Sequence, residues 1–163
     1  MTAPPPPAPV GHVFPTQADV PGPVSSHIKL SSTEKSKVQQ AFNVIDLKSD
    51  LMVGALACNM RSEYDAFMRR FQPHILDEQH VMDAYFHRAS GPYSGQKIED
   101  TYVTLLANNR SVSGSSEGSN FCLNNAAEFG AVMKLHSPSE LDQFATDQAP
   151  PDSFGIPMSP PGR

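Results

Sequence analysis

Apolar residues recur at every third or fourth position through most of residues 31–147. This period matches the 3.6 residues of a helical turn, so it predicts amphipathic helices. No segment alternates convincingly between apolar and polar residues, as a half-buried strand would, and no internal repeat is visible. The pattern therefore predicts an all-α fold, a bundle of five or six helices.

The first apolar series predicts one long helix over about residues 32–59. Ser31 and Glu34 have the spacing of a capping box at its beginning. Two adjoining apolar rows continue through the polar stretch 47–50, so we favour one helix over a split into two at that stretch.

The later apolar series predict further helices separated by turns and a loop. Pro73 is expected to begin a new helix, because proline is tolerated in a first turn and disrupts a helix interior. Residues 91–95 are read as a turn that includes Pro92, and the serine- and glycine-rich residues 113–119 as a flexible loop. The predicted helices start near Ser62 and cover about 73–90, 95–112 and 121–135, with a short closing helix at Ser137-Pro138.

Prolines separate this helical region from both ends of the chain. Of 16 prolines, eight lie in residues 1–23 and five in residues 150–163. Such a composition favours extended polyproline II and leaves little to bury in a core. We therefore predict a disordered proline-rich segment at 1–30, a helical domain at 31–147 and a disordered proline-rich tail at 148–163.

The N-terminal proline run is a candidate interaction site, since SH3-like grooves bind polyproline II helices. A disordered linker is the alternative, and the composition alone favours it. The prolines concerned are Pro4, Pro5, Pro6, Pro7 and Pro9.

Composition excludes two classes of partner. The net charge is −5 and no basic stripe with interleaved aromatic residues is present, so we expect no binding of nucleic acid. The longest apolar run, residues 51–58, is far shorter than the roughly 20 residues of a transmembrane helix.

No signal peptide is visible, which leaves a cytoplasmic protein or an exported one whose signal has been removed and Met1 added.

Several short segments occur in an order that is typical of one group of proteins. They are residues 51–59, 64–67, 70–73, 85–86, 88–89, 103–104, 106–108 and 121–122. Over about residues 50–146 the chain resembles small exported α-helical proteins of unknown function from alphaproteobacteria. The resemblance implies a periplasmic or secreted helical domain with one disulfide, Cys58 to Cys122, and it implies no activity. We expect no cofactor.

Taken without the resemblance, the two cysteines leave both redox states open. Cys58 and Cys122 suit small buried residues of a reduced protein equally well. A bridge between them would close a long loop and contribute about 4 kcal/mol in the chain-entropy model. Two cysteines alone do not decide the compartment.

A helix over 73–90 brings three possible metal ligands onto one arc. His80, Asp83 and His87 lie within about 60° of one another at 100° per residue. Imidazoles and a carboxylate on adjacent turns are ligands that zinc or copper accepts. The arc points away from the apolar face of the helix, so a solvated polar face is the alternative.

No catalytic signature is present: the chain lacks the GxSxG and Walker patterns, and its carboxylates mostly suit first turns of helices. We therefore expect a non-enzymatic exported protein that acts in protein–protein interaction or as a subunit of an envelope or secretion assembly. The alternatives are a metal-binding protein or metalloenzyme and a periplasmic stress or holdase protein. Aromatic residues are possible contact anchors, although their spacing favours the core: Tyr64, Phe67, Phe71, Tyr85, Phe86 and Tyr93.

Overall fold

A computed structural model describes residues 28–148, which form five α-helices and contain no strand. The helices are α1 (Ser32–Ala57), α2 (Arg61–Ser90), α3 (Pro92–Glu117), α4 (Asn120–Val132) and α5 (Pro138–Gln148). This confirms the predicted all-α bundle. None of these helices has a stretch both long and apolar enough to cross a bilayer.

The folded region begins slightly before the predicted boundary, because Ile28 and Leu30 pack against the core. The rest of the predicted proline-rich segment lies outside the described residues, and so does nearly all of the predicted tail. The candidate interaction prolines Pro4, Pro5, Pro6, Pro7 and Pro9 fall in this outer part.

α1 is the central helix and contacts each of the other four. It forms one continuous helix, as predicted, and residues 41–47 are all buried because neighbours surround it. The capping box is present at its start. The backbone N of Glu34 donates to Ser31 Oγ at 3.1 Å, and the backbone N of Ser31 donates to Glu34 Oε1 at 3.0 Å.

The core is built on an aromatic cluster that joins the three long helices. The ring of Phe42 on α1 lies 5.5 Å from that of Tyr85 and 5.6 Å from that of Phe86, both on α2. Its centroid lies 5.1 Å from that of Tyr102 on α3. Edge and tilted ring contacts of this kind stabilise a core beyond the area they bury.

The prediction that Pro73 begins a helix is wrong, because α2 runs through it without a break. Pro73 has no N–H to donate to the carbonyl of Arg69, a loss that costs roughly 3 kcal/mol in a helix interior. Phe71 and Ile75 on either side are both buried in the same core. Their shared packing keeps the helix continuous, while the proline ring lies on the exposed face.

The turn between α2 and α3 is shorter than predicted. Gly91 alone carries the change of direction at φ 84°, and Pro92 is already the first residue of α3. A first-turn proline suits a helix because its missing N–H has no helical partner there. Pro138 stands at the start of α5 as predicted.

The predicted flexible loop at 113–119 is wrong over most of its length, because α3 continues to Glu117. Gly114 is buried against the ring of Phe121, where a Cβ atom would lie 2.6 Å from Cε1. This close contact with α4 stabilises the last turns of α3. The chain then turns at Gly118, whose φ is 62°.

Candidate functional site

The two cysteines form a disulfide that joins the end of α1 to the start of α4. Cys58 caps the C-terminus of α1, and Cys122 lies in the first turn of α4. Their Cα atoms are 5.5 Å apart, within the range that a disulfide requires. The structure therefore contains the pairing that the resemblance implies.

Two exposed leucines flank this bond. Leu56 is two residues before Cys58 and is 58% exposed, while Leu123 follows Cys122 and is 69% exposed. Because the bond holds the two cysteines together, both leucines lie at the same end of the bundle. We call the surface around Leu56, Leu123 and the disulfide the disulfide face.

A cluster of charged side chains lies between α1, α3 and α4. Burial raises the pKa of Asp46 well above its usual value, and the neighbouring carboxyl of Asp50 adds to the effect. Burial raises the pKa of Asp50 to about 7, even though Arg110 opposes the shift. The pKa of Glu128 is also raised, chiefly by burial.

These carboxyls compete for one guanidinium. Arg110 Nη1 donates to Glu117 Oε2 at 3.0 Å, so its charge is already engaged by a further carboxylate. Asp46 Oδ1, Arg110 Nε and Glu128 Oε1 are buried without a hydrogen-bond partner among the described residues. We call Asp46, Asp50, Arg110 and Glu128 the acidic interior.

The structure does not bring the predicted metal ligands together. His80 and His87 are exposed on α2, whereas Asp83 is half-buried toward α3. Gln79 Nε2 donates to Asp83 Oδ1 at 3.0 Å and to Glu99 Oε2 at 2.8 Å. The carboxylate of Asp83 is hydrogen-bonded on the side of α2 that faces α3, whereas the imidazoles of His80 and His87 face solvent.

Glu99 and Asp83 form a carboxyl pair between α2 and α3. Burial, a hydrogen bond with Asp83 and the charge of Asp83 together raise the pKa of Glu99 to about 8. The raised pKa favours a protonated Glu99 carboxyl at neutral pH, and this group is hydrogen-bonded to Asp83. This pair was absent from the sequence prediction because neither helix alone shows that the two carboxyls meet.

A different group of possible metal ligands does converge within residues 28–148. It consists of His74 and Glu78 on α2 and Asp142 on α5, with three donor atoms within 4.8 Å of one another. His74 Nε2 lies 2.6 Å from Asp142 Oδ1 and 3.7 Å from Glu78 Oε1. We call these three residues the His74 cluster. The spacing of His74 and Glu78 was a visible signal, but Asp142 is 68 residues from His74 in the sequence.

Most of the aromatic residues considered as contact anchors belong to the core instead. Phe67, Phe71, Tyr85 and Phe86 are buried. Tyr64 is half-buried, and Tyr93 at the start of α3 is exposed.

The chain matches no protein-family model, no curated protein and no solved structure. The resemblance to exported alphaproteobacterial proteins stays a prediction.

Proposed function

We propose that the protein is a non-enzymatic, exported helical bundle that binds another protein through its disulfide face. The observation that carries this proposal is a disulfide that joins the two helices on which the exposed Leu56 and Leu123 lie. Disulfides persist in oxidising compartments, so the bond supports a periplasmic or secreted location. The resemblance to exported proteins points to the same location.

The disulfide face combines apolar area with rigidity. Leu56 and Leu123 each expose more than half of their side-chain surface, and the covalent bond fixes the helices that bear them. A rigid surface loses little conformational freedom when a partner binds, so more of the contact energy is available as affinity. The partner that fits is a protein with an apolar patch, such as a neighbouring subunit of an envelope or secretion assembly.

Other exposed apolar side chains of the described region provide a comparison. Leu76 on α2 is 48% exposed and has no disulfide beside it. Single exposed leucines are common on soluble proteins and need no functional reason. If the disulfide face is an interface, the partner should contact Leu123 and should not contact Leu76.

Site-specific photocrosslinking in the native host tests the proposal. A benzophenone side chain is placed at Leu123 in one strain and at Leu76 in another, and crosslinked products are resolved by size. We expect a discrete adduct from position 123 in the envelope or secreted fraction and none from position 76. The additional change Leu56→Asp should reduce the adduct at least severalfold.

Two results would contradict the proposal. One is the same set of adducts from both positions, which would indicate random collisions. The other is the absence of any adduct from position 123 when the protein is present at its native level.

A further inference from the structure

We propose that the His74 cluster is a binding site for one divalent transition-metal ion, of which zinc is the representative. The site is distinct from the disulfide face and from the arc of His80, Asp83 and His87. It does not depend on the protein-binding role proposed above.

The donor atoms of the His74 cluster already stand close to the separations that an ion requires. Zinc lies about 2.0–2.2 Å from imidazole nitrogen and carboxylate oxygen, so two of its tetrahedral ligands are roughly 3.3–3.6 Å apart. His74 Nε2 is 3.7 Å from Glu78 Oε1 and 2.6 Å from Asp142 Oδ1. The second distance has to open, through side-chain rotation at Asp142 on α5, and all three donor atoms lie within 4.8 Å of one another.

His74 presents the same nitrogen to both carboxylates. In the ion-free protein Nε2 and Asp142 Oδ1 share a hydrogen bond and therefore a proton. A metal ion at Nε2 needs this nitrogen without a proton, so the neutral imidazole would bind it as the tautomer whose proton is on Nδ1.

Glu78 provides independent support for a cation at this position. Its side chain is only 7% exposed, and Oε2 has no hydrogen-bond partner among the described residues. A buried carboxylate oxygen without a partner is costly, and its burial raises the pKa of Glu78. A cation bound at Oε1 would neutralise the charge of the carboxylate that carries this oxygen.

The surroundings of the His74 cluster also fix the Glu78 carboxylate and leave the cluster accessible from solvent. Gln40 Nε2 on α1 donates to Glu78 Oε1 at 3.1 Å and so fixes the carboxylate from a third helix. The side chains of His74 and Asp142 are each 18% exposed, so an ion and a water ligand can reach them. Such outer contacts orient metal ligands and are part of a functioning site.

Lys37 on α1 opposes a cation, because its ammonium group lies near enough to Glu78 to lower the pKa of that carboxyl. The lysine is exposed, and its long side chain is free to turn toward solvent. With three protein ligands and this nearby charge, we expect affinity in the micromolar range rather than that of a closed structural zinc site.

The test uses the full chain without a histidine tag, with zinc chloride titrated in a calorimeter. The variants are His74→Gln and Asp142→Asn, with His80→Gln as the matched control on the exposed face of the same helix. Far-UV circular dichroism checks that each variant is folded. Cobalt(II) absorption in the visible range gives a second readout that reports ligand geometry.

We expect one zinc ion per chain, at least tenfold weaker binding for His74→Gln and Asp142→Asn, and less than a twofold change for His80→Gln. Zinc should raise the melting temperature of the wild-type protein and have little effect on the two ligand variants. The absence of saturable binding, or an equal loss in the His80→Gln control, would overturn the proposal. Unchanged binding in a folded His74→Gln variant would overturn it as well.

Discussion

The side chain of Asn125 on α4 fills the space into which a Cβ atom at Gly54 on α1 would project. Such an atom would lie 2.7 Å from Asn125 Nδ2 and nearer still to Oδ1. Asn125 is buried, and Gly54 is one turn before Cys58. The close approach of α1 and α4 therefore depends on a glycine as well as on the disulfide.

Gly54→Ala should destabilise the protein by about 1–3 kcal/mol, because overpacking forces Asn125 or a backbone to move. Gly130→Ala on α4 is the control, since a Cβ atom there meets nothing within 4 Å. Alanine at that helical position should be neutral or stabilising by up to about 1 kcal/mol. Urea unfolding of both variants measures the difference, and equal effects would show that the helices are not in close contact at Gly54.

Removal of the disulfide should cost about 4 kcal/mol in the chain-entropy model, because the bond closes a loop between residues 64 positions apart. The double variant Cys58→Ser/Cys122→Ser tests this in chemical unfolding experiments. Reductant should lower the stability of the wild-type protein to that of the double variant and leave the double variant unchanged. A wild-type protein that is insensitive to reductant would contradict the prediction.

Stability should fall as the pH rises from about 5 to 8. The raised pKa values, about 7 for Asp50 and about 8 for Glu99, mean that the folded state holds protons that the unfolded state has already released above pH 4–5. In that window folding takes up protons, so each such group reduces the free energy of unfolding by at most about 1.4 kcal/mol per pH unit. The pKa of Glu34 is lowered by its contacts with Ser31 and Arg88, so its contribution changes only below pH 4.5 and leaves the window from pH 5 to 8 unaffected.

Urea unfolding at pH 5 and pH 8 checks this direction. Asp50→Asn and Glu99→Gln should each flatten the pH dependence, because the substituted side chains do not titrate. Asp77→Asn, on the exposed face of α2, should leave the slope unchanged. A stability that rises between pH 5 and 8 would show that the acidic interior and the Asp83–Glu99 pair are not buried as described.

Pro73→Ala should stabilise the protein by about 1–3 kcal/mol, because it restores an N–H donor inside α2 and removes a clash with the preceding turn. Pro92→Ala should change stability by less than about 1 kcal/mol, since Pro92 occupies the first position of α3. Thermal unfolding of the two variants separates these cases. A destabilised Pro73→Ala variant would indicate that residue 73 does begin a helix.

Local chemistry made the fold class and several helix ends predictable. The capping box of Ser31 and Glu34 involves residues three positions apart, and both of its hydrogen bonds form. Pro138 begins a helix because proline suits a first turn. Such features depend only on neighbours in the sequence.

The errors arose where tertiary packing outweighed local preference. Pro73 lies inside α2 because Phe71 and Ile75 share one core. At Gly114 the ring of Phe121 on α4 packs directly against α3, and a Cβ atom there would lie 2.6 Å from Cε1. This contact between the helices favours glycine inside α3, where local preference predicts a loop.

The candidate sites were missed for a related reason. Asp142 belongs to a helix far along the chain from His74, and no periodicity shows that the two meet. Asp46 and Asp50 stand one turn apart on α1, which resembles an ordinary solvated face until α3 and α4 cover it. The sequence analysis named His80, Asp83 and His87 as possible metal ligands, whereas the site proposed from the structure uses His74 and Glu78 on α2 and Asp142 on α5.

The most direct test of an exported, disulfide-linked protein is a thiol count on protein isolated from its native host. Free thiols are blocked during lysis, and the remaining thiols are titrated in denaturant before and after reduction. We predict no blocked cysteine and two thiols released on reduction, from Cys58 and Cys122. Two cysteines already blocked at lysis would show that the protein is reduced in its own compartment and would contradict the account.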